Sequence, residues 1–292
     1  MPQLFNLDRR DWDEASSPSL VARAQAALEA GLVILFTQLA FALEPAEEKF
    51  LTPSILAGSR KNASYNPATD DVGGTNLAGA DAEGLARMIR RFGDSCMLLI
   101  ERLFPAYRPE IIRARGSFRP ADIAERVMSW RKDDTRLHVD AFPANPSNGK
   151  RILRVFCNVN PTGAVRTWRI GDEFESVARH FDDQLRIPLP GVGRLLALTH
   201  VTKTPRSRYD SLMLQLHDRM KADSAFQSNT PQAKVDFPAG STWMAFTDQV
   251  SHAAIAGQHQ LEQTFLLPLA AMREPERSPL RVLERIKHRQ LA

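Results

Sequence analysis

From about Ile111 onward the apolar residues come in short runs, at 125–130, 151–159, 194–201, 242–247 and 263–268, broken by Pro, Gly and Asn. Runs of this length are too short for packed helices, and their spacing is that of strands in an antiparallel sandwich or barrel. One helical stretch, from about Tyr209 to Lys221, interrupts them. The core of this chain is therefore expected to be β.

The first third reads differently. Ser19–Glu29 has helical spacing and stops at Gly31, and GLVILF (31–36) follows as a continuous apolar run suited to a strand covered on both faces. Pro45 with Glu47 and Glu48 opens a short helix whose acids favour the positive end of the helix dipole. Residues 59–80 are polar, rich in Gly and Asn and aperiodic, which predicts a long surface loop of the kind that contacts ligands. From Asp81 the longest helical pattern begins, with Leu85, Met88, Ile89, Phe92, Met97, Leu98, Ile100 and Leu103 on one broad stripe. At the other end Ser278 and Pro279 suit the cap and first turn of a basic, amphipathic helix.

We expect one domain over 1–292, comprising a helical and mixed region (1–110), a β core (111–270) and the basic helix (271–292).

Composition closes several alternatives. The 292 residues are 43% hydrophobic and 25% charged, which excludes a globally disordered chain. Lys and Arg number 38 against 34 Asp and Glu, an excess too small to suggest nucleic acid as a partner. Only Cys96 and Cys157 are present, so no disulfide framework is expected and a reducing compartment is the default. The N-terminal residues lack the apolar core of a secretory signal, and the most apolar stretch, Gly31–Leu43, is shorter than the ~20 residues a spanning helix needs. A cytoplasmic protein is expected.

The chemistry is carried by TRLHVDAF. His138 and Asp140 stand two apart, which on a strand points both side chains to one face. His252 follows a Pro-Ala-Gly turn and a strand much later in the chain. Two imidazoles and one carboxylate make the face that binds non-haem Fe(II) and leaves positions open for a bidentate cosubstrate and dioxygen. Their order predicts an α+β fold with a mainly β core, a double-stranded β-helix (jelly roll) with helices packed on one sheet. The other five His are less suited: His180 and His217 lie in helical patterns, His200 ends the run LLALTH, His259 lies beyond Gly257 and His288 is on the basic tail.

With these residues in view, TRLHVDAFPANPSNGKRILRVFCNVNP and FPAGSTWMAFTDQVSHAAIAGQHQLEQTFLLP resemble the Kdo 3-hydroxylases, as do KNASYNP (61–67), NVNPTGAVRTW (158–168) and LEQTF (261–265). That family comprises Fe(II)- and 2-oxoglutarate-dependent oxygenases of Gram-negative bacteria that act on the Kdo sugar of the lipopolysaccharide inner core. The resemblance runs from about residue 31 to 269 and implies that His138, Asp140 and His252 hold iron. It further implies Fe(II), 2-oxoglutarate and O2 as requirements, with ascorbate as a candidate reductant, and hydroxylation of Kdo at C3 to give Ko in a lipid A precursor.

The far carboxylate of 2-oxoglutarate needs a cation, best an Arg. Many relatives place an Arg eleven residues after the distal His, where this chain has Gln263. On 152–158 one face carries Arg154 and Asn158 among apolar neighbours, so Arg154 is the first expected anchor, with Gln263 and Asn158 beside it and Arg136 sharing parity with the HxD pair. Lys61, Asn62 and Tyr65 of the 59–80 segment, with Arg151, Arg166 and Trp168, are the expected sugar contacts. Arg131, Lys132, Lys150 and Arg169 add positive charge that steers an anionic substrate.

A lipid-linked substrate would place the protein at the inner membrane, for which the basic tail helix is one candidate anchor. Two other readings remain at this level: a 2-oxoglutarate oxygenase of another lipid or small anion, of the phytanoyl type, and a non-catalytic β-helix protein that binds anionic glycan or nucleic acid.

Overall fold

The computed structural model describes residues 4–123 and 129–292. Its strands are β1 (Leu4–Asn6), β2 (Val33–Phe36), β3 (Ala63–Asn66), β4 (Asp71–Gly73), β5 (Ile112–Arg119), β6 (Arg151–Asn158), β7 (Arg166–Ile170), β8 (Ala233–Phe237), β9 (Thr242–Phe246), β10 (His252–Ala256) and β11 (Gln260–Leu267). A large sheet has the order β1-β2-β9-β6-β11-β5-β3-β4 and a small one the order β10-β7-β8. Every pairing among them is antiparallel except β1 with β2. Phe156, Trp243 and Ala245 of the large sheet share an apolar cluster with Trp168, Val235, Phe237 and Ala254 of the small one, so the two sheets pack face to face.

Helices α1 (Pro18–Glu29), α2 (Gly79–Leu103), α3 (Phe174–His180), α4 (Val192–Leu198), α5 (Arg208–Ala222), α6 (Ser224–Asn229) and α7 (Pro279–Lys287) join or cover these sheets. The outer face of the large sheet is closed by α2, whose Leu85, Met88, Ile89, Phe92, Cys96, Leu99, Ile100 and Leu103 meet Leu153, Val155, Cys157, Leu261 and Phe265. Each such side chain contributes about 1.5–3 kcal/mol on burial, which is why the stripe fixes the helix. The stripe runs through Cys96 and Leu99, while Leu98 is exposed. At the crossing point Gly93 lets the helix approach, since a Cβ there would lie 2.0 Å from Nη2 of Arg113 and 2.4 Å from Oε1 of Gln263.

Helices also cover the small sheet, contrary to the expectation of one covered sheet. Leu137, Val139 and Ala253 point away from the sheet interface and need apolar cover, which α3, α5 and α7 provide through Val177, Leu212, Leu216, Leu280 and Leu283.

Three further expectations are corrected. Residues 59–80 are not a plain loop: β3 and β4 form a hairpin on the edge of the large sheet, with Ala63, Tyr65 and Val72 buried. The alternation of those apolar residues is hidden in a polar composition. The run 194–201 is no strand but forms α4 and a following turn, and His200 is exposed there. Finally, the N-terminal region supplies β1–β4 to the large sheet and so is part of the β core's framework. The run at 125–130 falls largely outside the described residues. Among the described residues no helix is long and apolar enough to cross a membrane.

Candidate metal centre and its cavity

His138 and His252 face one another across an isolated antiparallel bridge: each backbone N–H donates to the other's carbonyl, at 3.0 and 2.9 Å. Directly opposed residues share a sheet face, so this single bridge sets the two imidazoles side by side, with ring centroids 4.6 Å apart. Asp140, two residues on, is fixed by its N–H donating to the carbonyl of Thr247 (2.8 Å). One ligand atom from each of the three residues lies within 4.8 Å of the others. The chain thus folds two distant segments into one donor set because β10 pairs with both β7 and the HxD segment.

Each imidazole is held by its Nδ1, at 2.7 Å from the carbonyl of Arg136 for His138 and 2.8 Å from that of Val250 for His252. A ring that donates Nδ1–H to a carbonyl presents its Nε2 lone pair, the tautomer that ligates a metal. Burial, followed by the neighbouring His252, pushes the His138 pKa well below the ordinary histidine value, and burial likewise lowers His252. Both are neutral donors at pH 7. Burial alone would raise the Asp140 pKa, but the neighbouring Arg154 guanidinium opposes it and the carboxyl is held below the usual range. Its Oδ2 is buried without a hydrogen bond, although Nε of Arg154 is 3.2 Å away. A buried acceptor in that state fits a cation bound between it and the imidazoles. The donor set is nitrogen and oxygen without thiolate, which suits iron in a facial arrangement.

The three residues line a cavity of 490 Å³ that opens between the sheets. Trp168 stacks on His252 at 5.0 Å and packs edge-on to Phe156, forming its apolar floor. Among the described residues Lys61, Arg119, Arg131, Lys132, Arg154, Arg166 and Lys221 line it against Asp134, Asp140, Asp218 and Glu262, which is seven cations to four acids. With a dication added at the donor set, the excess is larger still. Such a cavity attracts anions.

The sequence candidates separate cleanly. Arg154 is in the wall and partly buried, 3.2 Å from both Asp140 and Glu262. Lys61, Arg166 and Trp168 are also in the wall. Lys61 pairs with Asp134 at 2.9 Å, and Arg166 donates to the carbonyl of Gly257 at 2.6 Å.

The other candidates are elsewhere. Gln263 is opposite Val155, on the face turned to α2, and its amide donates to the carbonyls of Ala114 and Thr264. Asn158 closes the far end of β6, donating to Ala164 and Phe237. Arg136 pairs with Asp133 and donates to the carbonyl of Lys221. Arg151 is fully buried against Asp248 and Gln249 with Phe246 under its guanidinium. Tyr65 is buried towards α2 with its hydroxyl on Asp70, and Asn62 is outside the wall. None of these six faces the cavity, so their expected ligand contacts are corrected.

Sequence reasoning also missed residues. Arg119 ends β5 in the wall, 3.1 Å from Asp134 and 3.7 Å from Glu262. His217 of α5 packs edge-on to His138 at 5.4 Å. Neither Asp134 nor Glu262 belongs to a motif whose spacing singles it out in the sequence. Glu262 was within reach: strand parity puts it opposite Phe156, on the cavity side.

Two imidazoles and a carboxylate on the wall of a polar, cation-rich cavity between two sheets define a candidate mononuclear non-haem metal enzyme. The chain belongs to the Kdo hydroxylase family: the family model described as 3-deoxy-D-manno-oct-2-ulosonic acid (Kdo) hydroxylase matches residues 11–290. It is 44% identical to the Kdo hydroxylase KdoO, a non-heme Fe(II) alphaketoglutarate-dependent dioxygenase. The KdoO crystal structure with alphaketoglutarate and Fe(III) superposes with a TM-score of 0.95 over 99% of this chain and 97% of that one. The cobalt(II) complex of KdoO, at the same identity, superposes with a TM-score of 0.96 over 100% and 97%. No curated protein sequence matches the chain.

Proposed function

We propose that the protein is an Fe(II)- and 2-oxoglutarate-dependent hydroxylase that converts Kdo to Ko at C3 in a lipid A precursor. One observation carries this reading: the bridge between His138 and His252 assembles a neutral two-imidazole, one-carboxylate donor set, in a chain whose family model is Kdo hydroxylase. We read the two facing sheets as a double-stranded β-helix, the whole of 1–292 as one domain, and the protein as cytoplasmic and peripheral at the inner membrane.

His138, Asp140 and His252 would hold the iron. Bound iron, with 2-oxoglutarate and O2, supplies oxidative decarboxylation to succinate and carbon dioxide coupled to insertion of hydroxyl at a C–H bond. The chain's own residues position the reactants. Arg166, which is buried, and Arg154 and Arg119, which are partly buried, are wall arginines that suit the far carboxylate of the cosubstrate, since a guanidinium fork binds carboxylate in two parallel hydrogen bonds. In the arrangement described, Glu262 and Asp134 neutralise Arg154 and Arg119. Trp168 keeps the His252 ring in place and excludes water from the floor. Towards the rim, Lys61, Arg131 and Lys132 suit the sugar carboxylate and phosphates of the acceptor.

Anaerobic addition of Fe(II) and 2-oxoglutarate tests the reading. A visible metal-to-ligand charge-transfer band is expected, and it should be absent in His138→Ala. Mass spectrometry of a Kdo-containing lipid A precursor after aerobic incubation should show one added oxygen on the sugar. Absence of both signals rejects the assignment.

A further inference from the structure

Among the described residues seven large apolar side chains are exposed, and the four most exposed, Leu189, Leu198, Leu195 and Val201, fall within one short segment around α4. Leu189 and Leu198 are 78% and 77% exposed, and no residue of α4 is buried. Scattered surface leucines need no explanation, but a cluster of this kind marks an interaction surface.

Charge identifies the partner. From Arg186 to Arg208 the chain contains no Asp or Glu, while Arg186, Arg194, Lys203, Arg206 and Arg208 are basic. Arg194 and Lys203 are themselves exposed, Arg194 between Leu189 and Leu195 and Lys203 two residues after Val201. Exposed leucines interleaved with cations suit the interface of a bilayer with anionic headgroups, where the apolar side chains enter the acyl boundary and the cations remain among the phosphates. A second copy of the chain fits poorly, because a two-fold contact through this face would set the same cations against one another. The tail helix α7, though basic, has no apolar side left to insert: Leu280, Val282 and Leu283 are buried against the second core.

The segment is also tied to the cavity. The N–H of Lys203 donates to the carbonyl of Ala144 (3.0 Å), and Nη2 of Arg206 donates to that of Pro143 (2.6 Å). Phe142 and Pro143 are part of the cavity wall. We propose that the Leu189–Val201 segment docks the protein on an anionic bilayer surface and holds the rim of the cavity at headgroup level. The inference deepens the proposed function and rests on it for the purpose of docking, delivery of a lipid-linked sugar.

Co-sedimentation of the full-length protein with phosphatidylglycerol–phosphatidylethanolamine vesicles, against phosphatidylcholine vesicles, tests it. Wild type should sediment with the anionic vesicles alone and be released by salt. Arg194→Ala/Lys203→Ala should weaken the partition by roughly 25-fold, at about fivefold per cation near an anionic surface. Leu195→Ser/Leu198→Ser should abolish sedimentation, and both variants should hydroxylate a water-soluble Kdo glycoside as wild type does. Wild type that stays in the supernatant, or a serine variant that binds as wild type, overturns the proposal. So does a wild-type dimer that the serine variant dissociates, since the patch would then belong to a second copy. Sedimentation is read without turnover: a protein that docks as expected but hydroxylates no Kdo substrate supports the docking and overturns the proposed reaction.

Discussion

Strands β6 and β11 have two faces with opposite fates. One presents Leu153, Val155, Cys157, Leu261, Gln263 and Phe265 to α2; the other presents Arg154, Phe156, Gln260 and Glu262 to the cavity. Both faces are buried, and both carry polar groups. The difference is in what satisfies them. On the packed face the amide of Gln263 is consumed by backbone carbonyls, whereas on the cavity face the charges of Arg154 and Glu262 meet each other and Asp140. A buried polar group with fixed backbone partners holds the fold, and one paired with other ionisable side chains in a cavity is free to exchange partners with a ligand.

The largest expected effect lies at the end of the cavity face. His138→Ala or His252→Ala should remove the donor set and lower turnover at least roughly a thousandfold, the scale of several kcal/mol of lost transition-state stabilisation. Iron content by atomic absorption and succinate formation measure it. Retained iron and turnover would mean that the bridge does not build the site.

Next, Arg154→Ala should raise the KM for 2-oxoglutarate by about 30-fold or more, because truncating one partner of a buried charged hydrogen bond costs about 2–5 kcal/mol. Gln263→Leu should leave that KM within about twofold and lower stability instead, by about 1–3 kcal/mol for carbonyls left without a donor. Urea unfolding and cosubstrate titration of the two variants set the faces against each other. A KM raised by Gln263→Leu would break the distinction.

A third test acts on the packed face alone. Gly93→Ala forces a methyl group into the space held by Arg113 and Gln263, and overpacking of this kind costs about 1–3 kcal/mol. A lower Tm with unchanged kcat is expected.

How much of this was legible beforehand follows from the same geometry. Residue parity read from 151–158 alone separates Leu153, Val155 and Cys157 from Arg154 and Phe156, and the structure places them so. The HxD pair and the distal His were readable because ligation needs fixed residue types, although not the single bridge that unites them. Counting from His252 puts Gln263 at the position of a cosubstrate anchor, whereas its ladder partner Val155 puts it on the packed face. The hairpin at 63–73 escaped because three buried apolar positions are diluted among polar neighbours. Arg119, His217 and Asp134 come from three separate elements, and only the tertiary fold brings them to one wall.

The smallest effect is a pH dependence at the edge of the cavity face. Burial would raise the Asp134 pKa, but Arg119 and Lys61 outweigh it, and the carboxyl is held below its ordinary value. A carboxylate whose folded pKa is depressed binds fewer protons in the folded than in the unfolded chain, so stability rises with pH through that interval. Its contribution is complete above the unfolded value, about 3.9, and is lost as pH falls from there through the folded value. Urea unfolding of Asp134→Asn between neutral and acid pH should therefore show a shallower acid loss than wild type, because the variant lacks the titrating group. At neutral pH it should be the less stable of the two, with the cations of Arg119 and Lys61 missing a partner they have in the wild type. Parallel pH profiles for the two proteins would show that the cavity cations do not act on Asp134, and the contrast between the two faces would then rest on Arg154 and Glu262 alone.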